Sequence, residues 1–142
     1  MDFEKLKLDL NDLMDKIGLE VKINEVDEDV ELQSLFTLKY LNDTEVLMVA
    51  SCMQDGITTV DFIFNEVIDY DNIYEIVNDY NNKNVFFKAH IEEEDGNFIL
   101  SAHSYTTELE EQIVNFIDIS ITGLVDEGNT KLLKKIVNKL DK

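Results

Sequence analysis

The sequence predicts an α+β fold: a mostly antiparallel sheet with flanking helices, in the order α-ββββ-α-ββ-α-α. Three observations point to it. Apolar residues recur at helical spacing near both ends of the chain and once in the middle. Between these stretches the period drops to two over several short runs. Residue pairs that tolerate tight turns, Asn42-Asp43, Asp55-Gly56 and Asp95-Gly96, separate those runs. Strands gathered in blocks, not alternating singly with helices, indicate an antiparallel arrangement.

The first helix spans residues 2–17. Phe3, Leu6, Leu10, Leu13, Met14 and Ile17 draw one stripe, with Glu4, Lys7, Asn11 and Asp15 on other faces. Asp2 is placed to cap its start and Gly18 to supply the left-handed residue after its end. Strand-like runs follow at 20–26, 32–41, 44–53 and 57–66, the last three forming a meander. In the fourth run Val60, Phe62 and Phe64 share the core face, while Thr59, Asp61 and Asn65 lie opposite.

A second helix is expected at about 70–82, capped by Asp69 or Asp71 and buried along Ile73, Ile76, Val77 and Tyr80. A hairpin of 84–93 and 97–105 turns through Glu94-Asp95-Gly96. It sends Phe98, Leu100 and Ala102 one way, and Ile99, His103 and Tyr105 the other. Thr107 with Glu110 reads as a capping box for a third helix running to about Val125. Its apolar residues (Leu109, Ile113, Val114, Phe116, Ile117, Ile119, Ile121 and Leu124) cover so much of its circumference that it is either sandwiched in the core or also meets a second subunit. A last helix is expected at 130–141, with Lys131, Lys134, Lys135, Lys139 and Lys142 suited to a helix C-terminus in an acidic protein.

The segment IVNDYNNKNVFFKAHIEEEDGNFILSAHSY, residues 76–105, resembles the YbjN family, which shares the fold of type III secretion chaperones. Val77, Asn78 and Asn81 occupy the Val-Asn-x-x-Asn pattern at the end of the family's helix, and Asp95-Gly96 the acidic turn. The resemblance implies a small acidic dimer that holds an unfolded or partly folded segment of another protein, or acts as a regulator without catalysis.

At 142 residues the chain is one ordinary domain, 1–142. It contains no Pro, so a long flexible linker is not expected. Twelve basic residues, all Lys, face 31 acidic ones, for a formal charge of −19. Such a surface repels nucleic-acid phosphates and anionic membranes and attracts basic proteins. A single cysteine, Cys52, excludes an intramolecular disulfide and a Cys-rich zinc site. The N-terminus lacks the apolar core of a signal peptide, so a cytoplasmic location is expected. Abundant Asn, Ile and Lys with no Arg points to an AT-rich, bacterial genome.

No motif nominates a catalytic residue, a cofactor or a metal. His90 and His103 lie on opposite strands of the hairpin, and a two-His site with Glu92 is conceivable, but no spacing supplies a third ligand. The runs Asp27-Glu28-Asp29 and 92–95 do not fit a calcium loop. Cys52 sits in an apolar strand without a nearby cation, as a buried structural thiol would. Phosphate-binding Gly motifs are absent. Asn78 and Asn81 are placed to tie off the second helix and its exit loop.

The expected function is therefore a non-catalytic protein-binding module, with a second copy of the chain as a candidate partner. Its contact residues would be Ile63, Ile99 and Tyr105 on the face opposite the core, with Phe116 on the third helix. The alternative is an acidic decoy or immunity protein that occupies a cationic site on a nuclease, toxin or DNA-binding protein. That reading draws on the charge alone and predicts binding that collapses in high salt.

Overall fold

The computed structural model describes residues 2–26, 29–38, 43–52, 56–64, 73–92, 94, 96–106, 109–125 and 133. Helix α1 spans Phe3–Ile17. It is followed by β1 (Lys22–Val26), β2 (Asp29–Leu38), β3 (Thr44–Cys52) and β4 (Ile57–Phe64). Helix α2 (Ile73–Lys83), β5 (Lys88–Glu92), β6 (Asn97–Tyr105) and α3 (Glu110–Leu124) complete the described elements. The fold is α+β, and the order agrees with expectation as far as α3. Of the fourth expected helix only Leu133 lies within the described residues; it is helical and buried in the core.

All neighbouring strands are antiparallel, in the order β1-β2-β3-β4-β6-β5. Side chains alternate across a strand, so residues paired in register share a face. One face carries Val30 and Leu32, Val46, Met48 and Ala50, Val60, Phe62 and Phe64, and Phe98 and Leu100, all buried. These join Leu6, Leu10 and Met14 of α1, Val77 and Tyr80 of α2, and Ile113 and Ile117 of α3 in one core cluster. The helices therefore lie on this face, with α1 packed against α3.

Local chemistry sets the ends of the elements. The Asp2 carboxylate accepts the Lys5 N–H at 3.2 Å, capping α1 as its sequence predicts. At the other end Gly18 has φ 88°, and the Leu19 N–H returns to the Met14 carbonyl at 2.9 Å. That left-handed turn suits a residue without Cβ. Lys7 on α1 pairs with Glu25 on β1, which raises the lysine's pKa.

Four boundaries differ from the sequence reading. Strand β1 opens at Lys22 rather than at 20. Strand β2 begins at Asp29, three residues before the expected 32, because Asp29 and Val30 pair with β1 and Val30 also pairs with Cys52 of β3. Strand β5 starts at Lys88 rather than 84. Asn84 instead closes α2, donating its backbone and side-chain N–H groups to the Tyr80 carbonyl, both at 3.0 Å. Phe87 then packs inward, whereas Phe86 stays exposed beside α3. The Phe87 ring lies 6.0 Å from that of Phe62, and the Phe86 ring 5.8 Å from that of Phe116.

The fourth is α3, which begins at Glu110, capped by Leu109 without a side-chain bond. Thr107, the expected cap, lies outside the described residues, as do Asn42, Asp55, Asp69, Asp71 and Asp95 among the expected cap and turn residues. The Glu110 carboxylate, expected to close a capping box, accepts the Asp2 N–H at 2.8 Å instead. It thereby joins the N-terminal ends of α1 and α3. This bond is the main reason its pKa lies below the ordinary glutamate value.

Strand β5 ends the sheet, and the middle of its outer edge is occupied at Ala89. The Ala89 N–H donates to Asn81 Oδ1 at 2.7 Å, and Asn81 Nδ2 donates to the Ala89 carbonyl at 2.9 Å. One carboxamide thus stands where a neighbouring strand would offer its peptide group. Asn81 does tie α2 to its exit, as the sequence reading expected, whereas Asn78 is exposed.

Candidate docking face of the sheet

The face away from the helices is assembled by strand register. Leu35 of β2 pairs with Leu47 of β3, Leu47 with Ile63 of β4, Ile63 with Ile99 of β6, and Ile99 with His90 of β5. Four apolar side chains therefore stand in one row across four adjacent strands, each about 4.8 Å from the next. None belongs to the core cluster or to the side chains packed against it. Leu35 is 59% exposed, Leu47 and Ile63 are half-buried, and Ile99 is only 6% exposed. The row is thus most open at β2, where pairing with β1 stops at Gln33. Val49, one row along β3, widens it.

Polar residues border the row. On one side are Thr37 and Glu45, paired with each other. On the other, Gln33, Val49, Asp61 and Ser101 pair in turn, with Glu31 in the row beyond. Asp61 accepts the Ser101 hydroxyl at 2.6 Å, and Glu31 accepts the Gln33 amide at 2.7 Å. Lys88 has its ammonium committed elsewhere, donating to the Asn81 and Asn84 carbonyls at 3.0 and 2.9 Å. The border of the row is acidic.

Of the four expected contact residues, the structure brings two together, Ile63 and Ile99. Tyr105 shares their face and is 71% exposed, but it pairs with Ile57 at the far end of β6, roughly 20 Å along the strand from Ile99. Phe116 is on the other side of the sheet, 8% exposed, against Phe86. Leu35 and Leu47 were not singled out from sequence. Their signal was present: strands 2 and 3 are apolar at both parities, which a strand with one wet face does not require.

A second exposed apolar group lies on the helix side. Val85 is 95% exposed, and Phe86 and Ile119 are also exposed. Ile119 lies one turn along α3 from Phe116, which Phe86 touches. Beside it Asp118, Ile119, Thr122 and Gly123 line a depression of about 300 Å³. Asp118 is the titratable side chain among the described residues that line it.

His90 and His103 share the open face but not a site. His90 pairs with Ile99, and His103 lies four residues further along β6, roughly 13 Å away. Among the described residues no three His, Cys, Asp or Glu side chains converge as metal ligands. Cys52 is buried beside Thr58, and burial pushes its thiol up to about 12, far from a nucleophile's range. No described helix is long and apolar enough to cross a membrane.

No family model matches the sequence, and no curated protein does. Among solved structures, the chain is similar to the Yersinia pestis type III secretion chaperone SycH, whose crystal structure is in complex with a stable fragment of YscM2. The identity is 14% over 82% of this chain and 98% of that one, with a TM-score of 0.43. At that distance the likeness assigns neither family nor function, and the YbjN resemblance of residues 76–105 gains no family match.

Proposed function

We propose that this protein is a non-catalytic binding module that docks an apolar segment of another protein on the open face of its sheet, in a chaperone or regulatory role. The observation that carries this reading is the in-register row Leu35, Leu47 and Ile63, apolar, outside the core cluster and not fully buried, closed at one end by the buried Ile99. A solvated sheet face gains nothing from such a row, whereas burying a leucine-sized side chain at an interface stabilises by about 1.5–3 kcal/mol. Ile63 and Ile99 are the floor of the proposed site, and Tyr105 is a contact at its distant end.

The test is capture of partners from the cell lysate by the wild type and by Leu35→Asp, at low and high salt. Leu35 is exposed, so its replacement should cost the fold little. A partner held through high salt by the wild type and lost by the variant supports docking on the row. Capture indifferent to the variant overturns it. A basic partner that both proteins release in high salt favours the acidic decoy instead.

A second copy of the chain is proposed to meet Val85, Phe86 and Ile119, the exposed apolar group on the helix side. Light scattering checks this: a dimer mass that Ile119→Asp halves supports it, and a monomeric wild type removes it.

A further inference from the structure

Resting on the docking reading above, we propose that the occupant of the open face is an amphipathic helix with Lys or Arg beside its apolar stripe, lying across β2, β3 and β4 over Leu35, Leu47 and Ile63.

The backbone of the occupant decides first between helix and strand. A sheet face presents side chains, because the N–H and C=O groups lie in the plane of the ladder and pair with neighbouring strands. A segment laid on that face finds no backbone partners there, and unpaired buried peptide groups are costly. A helix brings its backbone already paired. An extended segment would have to add at a sheet edge (at β1, at β2 beyond Gln33, or at β5, where the Ala89 peptide groups are already taken by Asn81) and so would lie beside the row and not over it.

Spacing agrees with this. Leu35, Leu47 and Ile63 sit on three neighbouring strands, so the accessible part of the row is about 10 Å long in steps of about 4.8 Å. On a helix, positions i, i+4 and i+7 share a face, lie about 5–6 Å apart and span about 10.5 Å. Residues on one side of an extended chain repeat at about 6.8 Å and fall out of step with the row.

Charge selects what flanks the stripe. Glu45 lies on one side of the row, with Asp61 and Glu31 on the other, while Lys88 is turned to the end of α2. Cations at the borders of the helix's apolar stripe would face carboxylates on both sides.

Two synthetic peptides of the same Leu and Lys composition, each roughly 18 residues long so that helix can form on binding, provide the test. One places Leu at i, i+3, i+4 and i+7; the other alternates Leu and Lys. Titration followed by calorimetry and circular dichroism should show the first binding with a gain of helix. Leu35→Asp should weaken it by about tenfold, the effect of losing burial of most of one leucine, although the variant adds negative charge. Leu35→Ala, which adds no charge, should weaken it several-fold and serves if the Asp variant fails to fold.

A helical peptide that does not bind overturns the proposal. Tighter binding of the alternating peptide, still lost in Leu35→Asp, overturns the helix and leaves the docking face standing. If both peptides bind and neither responds to the Leu35 variants, the docking face itself fails.

Discussion

The two faces of the sheet are built from the same strands and differ in how their apolar residues are distributed. Under the helices most positions are apolar at every register height, with Phe62, Phe64, Phe98, Leu32, Met48 and Leu100 fully buried. On the open face, apolar residues concentrate at one register height; the rows beside it carry Glu45, Gln33, Asp61 and Ser101 with one further apolar residue, Val49, and Glu31 stands in the row beyond. The first pattern fills a volume. The second leaves an apolar strip inside a polar border, the layout of a contact surface.

Substitution should separate the two faces most widely at Phe62 and Leu35. Phe62→Ala leaves a cavity in the core and should destabilise by about 3–5 kcal/mol, whereas Leu35→Ala should cost less than about 1 kcal/mol. Urea unfolding of both variants measures the difference; comparable losses would mean that the open face is covered in the folded protein.

A smaller effect tests how α3 sits on the core face. A Cβ at Gly123 would come within 3.0 Å of the Phe87 ring, which is buried and held against Phe62 and Phe86. Alanine gains about 1 kcal/mol in helix propensity, but displacing a packed ring costs about 1–3 kcal/mol. Gly123→Ala should therefore lower stability by about 1 kcal/mol, and a stabilised variant would show that the ring can move.

The smallest expected effect lies at the helix ends, far from the open face. Because the Asp2 N–H holds the folded pKa of Glu110 below its unfolded value, the bond contributes fully above the ordinary glutamate range. Its contribution is lost as pH falls through the lowered folded value. Glu110→Gln should lower stability slightly at neutral pH, where the ionised carboxylate contributes, and remove that part of the acid limb in a pH titration of stability. An acid limb identical to wild type would show that Asp2 and Glu110 do not meet.

Much of this architecture was legible residue by residue. Asp2 and Gly18 mark the ends of α1 by local chemistry, and the period-two spacing of Val60, Phe62 and Phe64 in β4 and of Phe98, Leu100 and Ala102 in β6 placed Ile63 and Ile99 on the opposite face. What stayed hidden depends on distant partners. The row needs the register of β2 on β3, which alternation within either strand does not supply. Phe116 lies on a helix apolar over much of its circumference, so periodicity could not say which side is inside. Glu110 has the spacing of a capping box with Thr107, yet its partner is 108 residues away.

The carboxamide of Asn81 also has a consequence for growth of the sheet. Cross-β fibres extend by adding strands to an edge whose peptide groups are vacant. At the middle of β5 both groups of Ala89 are already bonded to a side chain of the same molecule. An incoming strand would have to break two hydrogen bonds to pair at Ala89, so growth of the sheet at the middle of this edge is opposed by chemistry within the chain.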